Sequence, residues 1–166
     1  MSWWQGALLV LLVSTLSTLA MAGPQGWNGQ QLSIGLPLVW GQSLLFWWLF
    51  SLLLHFSADV FGGEGRIAQT LAACGVASTP FLLLGPLMVL AQRFGSAGQT
   101  LSLLLGMGLV FWAVALLSRL LVNSASLPLD RTLGVLVLSF FLMGALVAAS
   151  FVLGGLQLAF WGASLL

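Results

Sequence analysis

The sequence has almost no charge. Only 4% of its 166 residues are Asp, Glu, Lys or Arg, where soluble domains carry about a quarter. With 60% of the residues hydrophobic, a sphere of this composition could not cover itself with polar surface. Water is excluded as the solvent of the fold, and the chain reads as a multi-pass membrane protein. Lysine is missing, so every positive side chain is an arginine: Arg66, Arg93, Arg119 and Arg131. A net charge of +1 with no basic run leaves nothing to track a phosphate backbone, which excludes nucleic acid as a partner. The single cysteine, Cys74, rules out an internal disulfide and stands apart from any metal-ligand spacing. GxSxG, HExxH and Walker-type loops are absent too. No catalytic residue, metal or cofactor is therefore assigned, and the expected protein is not an enzyme.

What the chain does have is five apolar runs, at about 4–21, 37–60, 67–91, 99–121 and 131–153. At about 1.5 Å per residue, each can cross a hydrocarbon core of about 30 Å. Backbone groups in lipid need internal partners, so the runs should be helices. Short alternating segments, the mark of a membrane β-barrel, are lacking. The expected fold is all-α: one transmembrane domain over 1–166, a polytopic bundle of five helices with a short apolar C-terminal tail. Gly23-Pro24 should end the first helix, with a loop over 23–35 that contains Trp27. Gly154 and Gly155 should end or bend the fifth, leaving the tail at the interface with Trp161 at headgroup level. Ala20-Met21-Ala22 fits the small-x-small pattern of a secretory cleavage site. No Lys or Arg precedes that run, however, and Trp3-Trp4 look like an interfacial anchor, so retention as a first membrane helix is expected.

Arginine placement sets the expected orientation. With five crossings, Arg66, Arg119 and Arg131 share one side and Arg93 lies on the other. The positive-inside rule then gives a cytoplasmic N-terminus and a C-terminus outside. A charge at mid-bilayer costs about 2.5–3.5 kcal/mol on insertion scales, so avoidance of lipid explains much of the clustering near helix ends.

The stretch HFSADVFGGEGR, 55–66, concentrates this polarity. It contains the chain's one histidine. Ser51, His55 and Asp59 are spaced i, i+4, i+8 and line one stripe of the second helix. Gly62, Gly63, Glu64 and Gly65 permit a tight reversal, because glycine tolerates positive φ. Arg66 then opens the third helix within expected reach of Asp59. Gln69 and Thr70 continue the polar patch, and Asp130 with Arg119 and Arg131 should come nearby. Two readings stay open for His55, Asp59, Gly62, Gly63, Glu64, Arg66, Gln69 and Thr70. They are paired interfacial charges with one histidine in a helix contact, or they form an ion relay or a polar pocket for a headgroup or peptide. One His and one Asp are too few to hold a metal.

The third run has a stretch of small residues, LAACGVASTP at 71–80. Ala73 and Ala77 are four apart, as are Gly144 and Ala148 in the fifth run, and such faces let helices approach closely in lipid. They serve bundle packing or, alternatively, homo-oligomerisation. Pro80 and Pro86 each remove a helical donor and should kink or shorten the third helix, freeing carbonyls near Val76 and Leu82 for Ser78, Thr79 or a neighbouring helix. Trp47, Trp48 and Trp112 lie deep in their runs and are expected as bulky packing residues, with a pigment or lipid contact as the alternative.

Residues 61–87, FGGEGRIAQTLAACGVASTPFLLLGPL, resemble the central segment of the Yip domain family, the Ypt/Rab-interacting membrane proteins. The pattern is a Gly-Gly turn after a polar helix end, Gln-Thr opening a helix of small residues, and Ser-x-Pro. Here these are Gly62, Gly63, Gln69, Thr70, Ser78 and Pro80. The resemblance implies a five-helix integral protein, which in eukaryotes engages prenylated GTPases and its own kind in vesicle traffic. Two departures, the short stretch before the first helix and the missing tyrosines, speak against GTPase binding and toward the short bacterial branch. The expected function is a non-enzymatic membrane scaffold or adaptor in membrane organisation or trafficking. Its partners are the lipid bilayer and other membrane proteins or copies of itself. The alternatives are a small transporter or channel-like component gated by His55, Asp59 and Arg66, or an accessory subunit of a membrane complex.

Overall fold

A backbone surrounded by lipid must satisfy its own polar groups, and this chain does so with helices throughout. The computed structural model describes residues 2–25 and 29–163. Helix α1 spans Trp3–Gln25, α2 Gly29–Val60, α3 Ile67–Ala77, α4 Leu84–Gln92, α5 Gly95–Ala125 and α6 Leu129–Ala163. A 3₁₀ turn over Thr79–Leu83 joins α3 to α4. No strand occurs among the described residues. Five segments are long and apolar enough to cross a membrane: Trp3–Ala20, Leu32–Val60, Ile67–Leu87, Ala97–Ala125 and Leu129–Ser150. The third of these is the broken one, built from α3, the 3₁₀ turn and the start of α4.

Two boundaries differ most from the sequence reading, beside smaller extensions at both ends of α5, Gly95–Ala125 against an expected 99–121. The residues taken for a loop before the second run belong largely to α2, which begins at Gly29 and runs for 32 residues through Pro37. Polarity there marks where the chain leaves hydrocarbon and not where helix stops, since glutamine is a good helix former. Likewise α6 does not end at Gly154-Gly155 but continues helically to Ala163. Glycine lowers helix propensity, yet in an apolar setting the backbone has no alternative partner and the helix persists. Trp27 and the side chain of Trp161 lie outside the described residues.

The break in the third span has a local cause. Pro80 has no N–H to give, so the carbonyl of Val76 loses its helical partner. The Thr79 hydroxyl donates to that carbonyl at 2.8 Å, and Ser78 Oγ donates to Gly75 O at 2.6 Å. Pro86 falls in the first turn of α4, where a missing N–H costs nothing.

Packing follows small residues. The α1 stripe Gly6, Val10, Ser14 and Thr18 is buried at helical spacing. At its start Gly6 meets Gly75 of α3 backbone to backbone: a Cβ on Gly75 would lie 2.6 Å from both C and O of Gly6. Farther along, Gly85 of α4 faces Ala20 and the Leu16 carbonyl at 3.0 and 3.3 Å from a built Cβ. The hydroxyls in the stripe are satisfied within α1, Ser14 Oγ by Leu11 O and Thr18 Oγ1 by Ser14 O. Helix α3 sits between α1, α2 and α5, while α6 lies against α2 and α5. The tightest part of the core is at the end that carries the 61–66 turn. There Leu54 of α2, Leu121 of α5 and Val135 of α6 are fully buried.

Candidate functional site

The polar passage 55–66 is built first as a helix terminus. Gly62 has φ +82° and Gly63 N–H reaches back to Ala58 O at 2.8 Å, while Gly62 N–H bonds Asp59 O at 3.0 Å. That is the paired bonding of a Schellman cap, which needs a left-handed residue where Gly62 stands. The last turn gains a cation as well: Arg131 Nη1 donates to Phe61 O at 3.4 Å, a long bond placed where the helix dipole favours positive charge. The chain then crosses the end of α5. Glu64 N–H donates to Ala125 O at 3.2 Å. A Cβ on Gly65 would come within 2.8 Å of Ser124 O, and one on Gly63 within 3.0 Å of Ala58 O. The glycines therefore let the turn lie flat in the corner between α5 and α6, where Ser126 takes a left-handed φ of 54°. Phe61 closes the arrangement by packing its ring on Gly134 of α6.

Helix α3 starts on the far side of the turn. The side-chain oxygen of Gln69 accepts the Arg66 backbone N–H at 3.2 Å, so Gln69 is the cap of this helix. The Arg66 guanidinium takes no part in the reverse bond, because it has no acceptor. Thr70 is buried, with 2% of its surface accessible.

The stripe Ser51–His55–Asp59 does not form one pocket. Ser51 is fully buried and donates to Trp47 O at 2.7 Å, whereas the His55 side chain is 22% and the Asp59 side chain 54% accessible. A four-residue step overshoots a 3.6-residue turn by roughly 40°, so the stripe rotates out of the bundle as it descends. His55 Nε2 and Asp59 Oδ2 are 3.9 Å apart, too far for a hydrogen bond. No other side-chain contact between a basic and an acidic residue occurs among the described residues; Arg66 does not pair with Asp59. Glu64, Arg66, Arg119, Asp130 and Arg131 are all exposed, with Asp130 in the first turn of α6, where the helix dipole favours an anion. The structure thus gathers Gly62, Gly63, Glu64 and Arg131 at one corner and leaves His55, Asp59 and Arg66 on its rim.

Sequence reasoning missed the polar contacts inside the bundle. Ser57 of α2 and Ser139 of α6, both fully buried, stand 3.0 Å apart. Ser139 also lies 2.7 Å from Val135 O, so it gives its proton to that carbonyl and accepts one from Ser57. Trp47 Nε1 donates to Leu71 O of α3 at 3.2 Å, and Trp40 Nε1 to Thr15 Oγ1 of α1 at 2.9 Å. Of the three deep tryptophans only Trp47 is a packing residue; Trp48 and Trp112 point away from the bundle at 49% and 52% accessibility. Serine in an apolar run was the available signal for Ser57 and Ser139, but nothing in one dimension pairs them.

Above the tight core the helices part around a cavity of about 650 Å³. Phe50 and Phe140, with ring centroids 5.2 Å apart, stand at the α2–α6 side, and Trp47, Cys74, Ala113 and Leu117 contribute to its wall.

Five helical segments long and apolar enough to cross a bilayer define a polytopic α-helical integral membrane protein. A family model for the Yip1 domain matches residues 1–152, and the chain belongs to that family. The resemblance carried by residues 61–87 thus extends over nearly the whole bundle. Comparison with curated proteins and with solved structures returned no match.

Proposed function

We propose that the protein is a non-enzymatic scaffold or adaptor that holds membrane partners, or a second copy of itself, against its exposed helix faces. The observation that carries this reading is on α6. Residues 144–150, the last third of the membrane-crossing segment Leu129–Ser150, are all exposed, so the described chain leaves this stretch of α6 open to a partner. It presents Gly144, Ala145, Ala148 and Ala149, and a built Cβ on Gly144 meets nothing within 4 Å. Small residues on a free helix face permit the close approach that drives association in lipid. At the other end the 61–66 turn offers a preformed polar surface, displaying Asp59, Glu64 and Arg66 outward from a corner held by glycine contacts. On the positive-inside rule this surface faces the cytoplasm, with the N-terminus on the same side and the C-terminus opposite.

A relay through His55 and Asp59 is the weaker reading, because the cavity beyond Ser51 is lined mainly by apolar side chains and offers an ion few partners. The test of the scaffold is crosslinking in native membrane. A photoreactive residue at Ala148 should trap one discrete adduct, a homodimer or a heteromeric species identified by mass spectrometry. A second photoreactive residue at the lipid-facing Phe111 serves as the comparison. Recovery of monomer alone from the Ala148 variant, or the same adducts from both positions, refutes the proposal.

A further inference from the structure

We infer that the cavity bounded by α1, α2, α3, α5 and α6 is a binding site for one acyl chain of a membrane phospholipid, drawn from the leaflet opposite the 61–66 turn. This goes beyond the scaffold reading and does not depend on it.

Depth is the first reason. Along α2 the cavity wall runs from Gln42 to Phe50, roughly 12 Å at the helical rise. Its deep end lies roughly 15 Å along α2 from Val60, where the turn begins. A hydrocarbon core of about 30 Å has its midplane at about that depth. The cavity therefore occupies one leaflet and stops near the middle of the bilayer, where an acyl chain ends.

Chemistry is the second reason. The deep end is walled by Phe50, Leu117 and Phe140. Water would need two to four polar partners for each molecule. The hydroxyls of Ser14 and Ser78 that reach the wall already donate to Leu11 O and Gly75 O. At about 650 Å³ this half-open space is far larger than the gaps of a packed interior. An apolar occupant is required, and the cavity opens sideways onto the lipid-facing surface of the bundle. Phe46 and Val110 are part of its wall and are also exposed on the outside of the bundle, 53% and 49% accessible. The solvent on that side is hydrocarbon chain.

The mouth gives the third reason. Its polar side chains, the exposed Gln42 and the half-buried Ser43, stand at the end farthest from the turn. They match the ester and glycerol oxygens of a lipid whose tail points toward mid-bilayer. Neither side chain is charged, so the headgroup's charge should not matter.

The experiment uses the full chain in nanodiscs containing a phospholipid with a diazirine in the middle of one acyl chain. After illumination, labelled peptides are mapped by mass spectrometry. Labelling is expected on the cavity wall, at Phe50, Leu117 or Phe140, and also on the outward-facing Phe111. Ala113 is buried at the wall, and Ala113→Trp fills the space. Wall labelling should then fall about tenfold, the change that goes with about 1.4 kcal/mol of lost affinity, while Phe111 labelling stays constant. Ala77→Leu intrudes from α3 and gives the same result if the tryptophan variant fails to fold. Choline and glycerol headgroups should label equally. Labelling confined to Phe111, wall labelling that survives in the folded filled variant, or a wall crosslinked to a second polypeptide instead of lipid overturns the inference.

Discussion

Replacing Gly75 by alanine adds one methyl group where the backbones of α1 and α3 touch and leave no room for it. The new Cβ would stand 2.6 Å from the carbonyl carbon and oxygen of Gly6 and closer still to its Cα, whereas ordinary contacts begin at 3.4 Å. The opposing atoms are backbone, so no rotamer change relieves the overlap. Helices α1 and α3 must part by at least the difference between those two distances along the contact. Separation also loosens Trp47, whose ring edge lies 3.4 Å from a built Cβ on Gly6 and whose indole donates to Leu71 O. Overpacking of a well-packed contact costs about 1–3 kcal/mol, and rigid backbone on both sides places this one at the upper end. A loss of about 3 kcal/mol raises the unfolded fraction on the order of a hundredfold. Unfolding in a mixed detergent series, followed by tryptophan emission, reads this directly. Gly106→Ala on α5 is the control: nothing lies within 4 Å of its Cβ, and alanine favours helix over glycine by about 1 kcal/mol. Wild-type stability in Gly75→Ala, or an equal loss in both variants, would show that the α1–α3 crossing is not as close as described.

Three further outcomes follow from the same contacts. Gly62→Val should destabilise by about 1–2 kcal/mol through its left-handed φ of +82°, with Gly62→Asn milder, measured in the same unfolding series. A double-mutant cycle of Ser57→Ala and Ser139→Ala should give a coupling of about 0.6 kcal/mol, the average for such bonds in membranes; additive losses would mean the hydroxyls do not meet. Asp59→Asn should change stability by less than about 0.5 kcal/mol, since its partner His55 is 3.9 Å away and the carboxylate is more than half exposed; a larger loss would reveal a buried role.

Some of this was legible in the chain and some was not, for physical reasons. The five spans were legible because a crossing is a one-dimensional property, an apolar length matched to the hydrocarbon. The tight reversal at Gly62-Gly63 was legible because glycine is the default residue for a turn with positive φ. The start of α2 at Gly29 was not, because its polar residues signal contact with water and say nothing against helix. Continuation of α6 through Gly154 and Gly155 was hidden for the converse reason, that lipid suppresses the breaks glycine makes in water. The stripe Ser51–His55–Asp59 misled in part. Spacing put the three on one stripe, but how far that stripe rotates out of the bundle depends on where α3 and α6 lie. Partner choice was the least legible: Gly6 with Gly75, Ser57 with Ser139 and Arg131 with Phe61 O each join distant runs. The cavity has no sequence signal at all, since it arises where helices diverge.

The most direct test is to locate both ends of the protein in intact membranes, using a membrane-impermeant thiol reagent on Ser2→Cys and on a cysteine added after Leu166, each in a Cys74→Ser background. An odd number of crossings requires one site to react from each side of the bilayer, with Ser2→Cys labelled only after the cytoplasmic face is opened. Labelling of both sites from the same side would mean four or six crossings, and the five-span bundle described here would be wrong.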